Sequence, residues 1–157
     1  MTGRPARIVS GGQTGVDRAA LEAGRRTGIP VGGWCPAGGV AEDLAEAPGL
    51  LARYPELRAT PSADAAQRTE WNVRDSDATL VLVRMEAVSP GTLLTIELAE
   101  RWGRPHLVAD VHDADAVRTW LQGLPEGTVL NVAGPRESQA PGIQAEAEAL
   151  LATVLGD

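Results

Sequence analysis

The segment Arg7-Ile8-Val9-Ser10-Gly11-Gly12-Gln13-Thr14-Gly15-Val16-Asp17 is the part of this chain best equipped for chemistry. A short β-branched run ends in two glycines, and Thr14, Gly15 and Asp17 lead into an alanine-rich helical pattern. That order predicts a strand, a glycine turn and a helix start, an arrangement that points backbone N–H groups at an anion. Glycine lets a ligand approach the main chain, and the helix dipole favours negative charge at that end. The spacing Gly11-Gly12-x-x-Gly15 lacks the Gly-Lys-Ser/Thr ending of triphosphate loops and the G-x-G-x-x-G order of dinucleotide folds. The chemistry it suggests is the binding of a phosphate or similar anion; the alternative is a tight strand-to-helix turn with no ligand.

Three further groups carry polar chemistry. Asn131-Val132-Ala133-Gly134-Pro135-Arg136-Glu137-Ser138 follows an apolar run. Gly134 and Pro135 turn the chain there, Arg136 can pair with a phosphate or carboxylate, and Ser138 can donate a hydroxyl hydrogen bond. In Ser89-Pro90-Gly91-Thr92, the Gly91 amide and the Thr92 hydroxyl and amide could grip an anion, or Thr92 could simply cap a helix. Arg68, Glu70, Asn72, Arg74, Asp75 and Asp77 form a polar cluster that reads equally as a solvated helix face. Asp17 is either a first-turn acid favoured by the dipole or a ligand contact. Cys35 reads as a packed thiol, because nothing in the sequence places His112 beside it as a base. Trp34 and Trp71 could stack on a planar ring or pack in a core or subunit interface.

The elements that must position these residues alternate from end to end. Ile8-Val9 predicts a first strand, 15–27 a helix closed by Gly28, and Ile29 to Trp34 a second strand. Residues 37–66 are rich in Gly, Pro and Ala without a clear period, and a stretch of that length suggests a lid or functional loop. Glu42 and Asp43 within it are as readily helix-start acids as ligand contacts and carry no assigned role. A helix from Ser62 through Arg74, a buried strand Ala78–Val83, a helix over 92–103 and a strand from His106 to Ala109 follow. A helix from Asp113 to Gln122, a strand from Thr128 to Val132 and a helix from Gly142 to Leu155 complete the pattern. Continuous apolar strands alternating with amphipathic helices predict one three-layer Rossmann-like α/β domain over residues 1–157, with a parallel sheet of about five strands covered on both faces. Ligands of such sheets gather at the carboxyl ends of the strands. The loops Gly11–Asp17, Trp34–Asp43, Arg84–Thr92 and Asn131–Gly142 therefore converge on one edge.

Composition narrows the function further. The 157 residues include four Trp, one Tyr and no Phe, so Leu, Val, Ile and Ala must build the core. The net charge of −7 argues against non-specific nucleic-acid binding. There is no run of about 18 apolar residues and no signal-peptide core, so the expectation is a cytoplasmic protein without a membrane span. One Cys and two His offer no metal-ligand spacing.

Taken together, the glycine turn, the segment Arg68-Thr69-Glu70-Trp71-Asn72-Val73-Arg74-Asp75-Ser76-Asp77, Pro90-Gly91-Thr92 and Asn131–Ser138 resemble the molybdenum carrier family. That family is a circularly permuted branch of the SLOG, LOG-like "lysine decarboxylase" Rossmann-like superfamily. LOG-type enzymes begin with the strand and loop that resemble Val129 to Ser138, placed last here; their later glycine turn resembles Ser10 to Gly15, placed first. They hydrolyse the N-glycosidic bond of nucleoside 5′-monophosphates with an Arg and a Glu. Arg68 matches the Arg, but the Glu position falls on Thr95, and Glu97 is displaced by two residues, about 200° around a helix.

The resemblance implies a binding protein for a phosphorylated, nucleotide-like or pterin-like ligand, with molybdenum cofactor as possible cargo. The expected ligand contacts are Gly11, Gly12, Gln13, Thr14, Gly15, Asp17, Arg68, Pro90, Gly91, Thr92, Asn131, Gly134, Arg136 and Ser138. A phosphoribohydrolase using Arg68 with Asp17 or Glu70, and a nucleotide-sensing module, are the alternatives. Relatives of this kind form dimers or tetramers, and Trp71, Trp102 and Trp120 are the candidate interface residues.

Overall fold

The computed structural model describes residues 3–85 and 88–156. Six strands form one parallel sheet: β1 (Arg7–Val9), β2 (Val31–Cys35), β3 (Leu57–Ala59), β4 (Ala78–Val83), β5 (His106–Asp110) and β6 (Val129–Ala133). Their order across the sheet is β3-β2-β1-β6-β4-β5. The last strand therefore sits at the centre: β6 pairs Leu130 with Ile8 of β1 and with Ala78 of β4. Near the other end of the chain, Arg4 Nη1 donates to the Leu155 carbonyl at 3.0 Å.

The helices are α1 (Val16–Thr27), α2 (Leu50–Arg53), α3 (Ala65–Arg74), α4 (Pro90–Arg101), α5 (Ala114–Gln122) and α6 (Ile143–Leu155). Helices α1, α5 and α6 pack together on one face, while α3 and α4 pack on the other. The two-residue alternation of strand side chains explains the division. Ile8, Leu80, Leu82, Leu130 and Val132 point to the α1/α6 face and form the main core with Leu21, Ile143 and Leu151, all fully buried. A smaller cluster of Val73, Leu98 and Ala99 joins α3 to α4. Local signals set the helix ends. Asp64, Ser89 and Asp113 cap α3, α4 and α5 through bonds to Ala66, Thr92 and Ala116 amides, and Gly28 closes α1 in the left-handed conformation.

The parallel three-layer architecture is as expected, with a sixth strand supplied by the 37–66 stretch, which was expected to lack regular structure. That stretch holds a 3₁₀ turn at Ala37–Gly39, the single-turn helix α2 and the edge strand β3. Strand β3 is three residues long with two exposed, so it has no apolar period to read; it exists because Leu57, Arg58 and Ala59 pair with Gly33, Trp34 and Cys35. No helix among the described residues is long and apolar enough to cross a membrane.

Candidate functional site

Adjacent strands β6 and β4 send their following helices to opposite faces, α6 to one and α4 to the other. A crevice opens at the carboxyl ends of such a pair. The structure has a cleft of about 170 Å³ there, lined by Gln13 and Asp17 after β1, Arg68 and Thr69 on α3, Ser89, Gly91, Thr92 and Thr95 at the start of α4, and Gly134, Arg136 and Gln139 after β6. Seven of the sequence-predicted residues line it: Gln13, Asp17, Arg68, Gly91, Thr92, Gly134 and Arg136. Glu86 and Ala87 of the Arg84–Thr92 loop lie outside the described residues.

At the centre is a buried ion pair. Arg68 Nη1 lies 3.0 Å from Asp17 Oδ2, with side-chain exposures of 15% and 4%. Gly11 makes the approach possible, since a Cβ there would overlap the Arg68 guanidinium and come within 3.0 Å of Asp17 Oδ2. Burial pushes the Asp17 carboxyl above the usual carboxylate range, opposed by Arg68 and by the amides of Gln13 and Gly134. Arg68 Nε is buried with no hydrogen-bond partner among the described residues. The guanidinium thus has donors left over after Asp17 has been satisfied. Arg136 adds a second, exposed cation, and the first turn of α4 brings the Gly91 backbone and the buried Thr92 to the same cleft.

Amides of the expected cradle have partners within the protein. In the glycine turn, Gly12 N–H donates to Ser10 Oγ at 3.2 Å, Thr14 N–H to Gln13 Oε1 at 3.0 Å and Gly15 N–H to Gln144 Oε1 at 3.1 Å. Val16 N–H donates to the Pro135 carbonyl at 3.2 Å. These donors are consumed inside the protein, and the turn serves to join β1, α1 and the β6 loop. The Thr14 and Ser138 hydroxyls are also spent: both donate to Glu42, Ser138 Oγ at 2.6 Å with its amide at 3.2 Å. The protein's own carboxylate takes the place of an external anion there. Burial works to raise the Glu42 carboxyl, but the Ser138 and Thr14 donors hold it below the usual range.

Other expected residues lie elsewhere. Asn131 is buried within the sheet, its amide 3.4 Å from Thr79 Oγ1. Pro90 opens α4 without lining the cleft. Glu70 is two residues, about 200°, from Arg68 on α3 and also lies outside the cleft lining. Thr95 lines the cleft, its hydroxyl donating to the Gly91 carbonyl at 3.2 Å, while Glu97 faces solvent beside Arg101 at 3.0 Å. Asp17 is the one carboxylate lining the cleft among the described residues. Cys35 is buried, its thiol pushed up by burial, and His112 pairs instead with Glu146. Among the described residues no cluster of three His, Cys, Asp or Glu is placed to hold a metal ion.

Glu42 and Asp43, left without a role by the sequence, pin the preceding loop to the turn. Arg18, with 3% side-chain exposure, grips Asp43 through Nη1 and Nη2, both at 2.9 Å, and donates from Nε to the Gly12 carbonyl at 3.0 Å. The Arg18 hydrogen bonds hold the Asp43 carboxyl below its ordinary value of 3.8. As pH falls, the unfolded chain therefore takes up this proton first. The stabilisation is complete above about pH 3.8 and is lost as pH falls through the lower folded value. Asp43→Asn is expected to flatten this acid limb of a urea-melt series and to lose about 1–2 kcal/mol at neutral pH, reduced from a fully buried pair because Asp43 is partly solvated. An unchanged acid limb in the variant would refute the assignment. No sequence signal links Arg18 to Asp43, because the two are joined only by tertiary packing.

A parallel three-layer sheet with a polar cleft at its switch point defines a Rossmann-like α/β domain. Residues 8–155 match the circularly permutated YpsA SLOG family, and the chain belongs to that family. A crystal structure of the "Putative molybdenum carrier protein" from Syntrophus aciditrophicus SB is 35% identical and superposes with a TM-score of 0.85, the match covering 100% of this chain and 98% of that one. A comparison with curated proteins finds no match.

Proposed function

We propose that the cleft binds a small phosphorylated ligand of nucleotide or pterin type and that the protein acts as a carrier, with molybdenum cofactor as a candidate cargo. The observation that carries this reading is Arg68: a mostly buried guanidinium at the switch point, neutralised on one side by Asp17 and retaining a buried, unpartnered Nε. Arg68, Arg136, Thr92 and the α4 N-terminus would surround an anionic group, as charge-assisted donors do in phosphate sites. A volume of about 170 Å³ fits a phosphate and its attached sugar or ring edge, with the remainder of the ligand projecting outward. Metal would arrive with an organic cofactor, since among the described residues no three His, Cys, Asp or Glu side chains are grouped to hold a bare ion.

The name of the 35%-identical neighbour accords with a carrier role. The cleft also favours binding over N-glycosidic hydrolysis. Its one carboxylate, Asp17, is already engaged by Arg68, whereas a glycosidic mechanism needs a carboxylate facing the sugar. Dimer or tetramer formation and a cytoplasmic location belong to this proposal.

Isothermal titration with AMP, other nucleoside monophosphates and molybdopterin tests the reading, alongside mass spectrometry of molecules that copurify with the protein. Saturable binding without base release is the expected result. Base release from AMP would replace the carrier reading with the hydrolase, and no binding to any of these ligands would remove both.

A further inference from the structure

We propose that the sheet face below α3 carries a second groove, separate from the cleft, that binds a planar heteroaromatic anion of purine-nucleotide size. The groove, of about 210 Å³, is lined by Arg7, Val9, Trp34, Arg58 and Val129 and closed by Asp75 at the end of α3. The groove runs along β1 from Arg7 to Val9, and it shares no lining residue with the cleft around Arg68. Strand register puts its side chains on one face. Val9 pairs with Gly32, Trp34 pairs with Arg58, and Gly32 and Trp34 are two residues apart.

Two features show that the groove is built rather than left over. The first is the fixing of Trp34. Its amide donates to Asn72 Oδ1 at 2.7 Å, and its carbonyl accepts from Asn72 Nδ2 at 2.9 Å. Its indole Nε1 donates to Asp75 Oδ2 at 2.8 Å, and its ring meets Trp71 edge-on with centroids 4.8 Å apart. Arg74 in turn grips Asp75 at 2.8 and 2.9 Å and lies 4.7 Å over the Trp71 ring. An indole held in this way offers a flat wall at little entropic cost. The second feature is Gly32. The Arg7 guanidinium occupies the space a Cβ would fill, so it lies down on the strand beside the groove floor.

Charge selects the ligand. Two carboxylates also line the groove, and both are engaged: Glu56 pairs with Arg25 at 2.9 Å and Asp75 with Arg74. Arg7 and Arg58 make no ion pair or side-chain hydrogen bond among the described residues. In a chain of net charge −7, this groove thus presents two uncompensated guanidiniums beside a fixed indole. Arginine both pairs with phosphate or carboxylate and stacks on flat rings. An aromatic ring bearing one anionic group satisfies the wall and the two arginines together.

Residue-resolved NMR with AMP as the probe, and adenosine and inorganic phosphate as controls, tests the proposal on the 16.4 kDa chain. AMP is expected to shift the Trp34 indole N–H and the Gly32 and Gly33 amide signals saturably, and adenosine to shift them far more weakly. Arg7→Ser and Arg58→Ser, both at exposed positions, are each expected to weaken that response by about fivefold, the upper range for an exposed pair. The Gly91 and Thr92 signals, which report the cleft, should respond to AMP identically in these variants. Absence of saturable shifts at Gly32, Gly33 and Trp34, an equal response to adenosine, or an unchanged response in both Arg7→Ser and Arg58→Ser would overturn the groove whatever happens at the cleft.

Discussion

Arg68→Ala is expected to weaken AMP binding at the cleft by about a hundredfold and, separately, to lower stability by about 3 kcal/mol. The two effects have different causes. Loss of affinity follows from removing the charged donor whose remaining N–H groups face no acceptor among the described residues. Loss of stability follows from Asp17, which is 3% exposed and would be left with only the Gln13 and Gly134 amides. Burial already raises its carboxyl, and the variant loses Arg68, the cation in direct contact that opposes that burial. The destabilisation should therefore shrink as pH falls from the raised folded value towards about 3.8 and be smallest below it, where the unfolded chain also carries a protonated Asp17. Adding Asp17→Asn to Arg68→Met should recover most of the stability while leaving binding impaired, and a double-mutant cycle in urea melts and titration calorimetry measures both. Full AMP affinity in Arg68→Ala would move the ligand site away from this cleft.

Gly15→Val is expected to be the most disruptive single change in the glycine turn, destabilising the fold by about 3–5 kcal/mol, a large share of the total stability of a domain this size. Gly15 has φ of 85° and ψ of −135°, a region that a β-branched residue avoids. Its missing Cβ also makes room for the β6 loop: an added carbon would overlap the Pro135 carbonyl and come within 2.8 Å of Arg136 Cα. The same contact supports the Val16 N–H bond to Pro135 that opens α1. Gly15→Val would accordingly report on folding, read as a lowered midpoint in thermal or urea unfolding, before it reported on ligand affinity. A wild-type midpoint in this variant would show that the β6 loop does not close on α1 as described. Gly91→Ala is the useful contrast, since nothing lies within 4 Å of its position and its fold should be unaffected.

Much of the architecture could be read from local chemistry. The largely apolar run Ala78–Val83 is buried at every residue, as a central strand of a sheet covered on both faces must be. The Gly28 stop of α1 is a one-residue signal that the chain obeys, whereas α4 begins at Pro90, two residues before the expected start, with Ser89 as its cap in place of Thr92. The rotation of Glu97 away from the cleft follows from helical spacing and is met by its pairing with Arg101. Strand β3 was beyond such reading, because an edge strand of three residues is stabilised by its partner β2 and not by its own pattern.

The candidate site divides along the same line. Sequence by itself determined which loops meet, because alternating strands and helices with right-handed crossovers bring the strand ends to one edge, and Arg68, Gly91, Thr92 and Arg136 do line one cleft there. Only the tertiary structure decided what each donor is bonded to. The Gly15 amide is taken by Gln144, 129 residues away, and the Ser138 hydroxyl by Glu42, 96 residues away. Hydrogen bonds satisfy groups by proximity in space, and a folded chain pairs its own donors before it leaves any for a ligand. The glycine turn thus has the composition of an anion cradle and the role of a structural junction, while the open cationic donors lie beside it on Arg68.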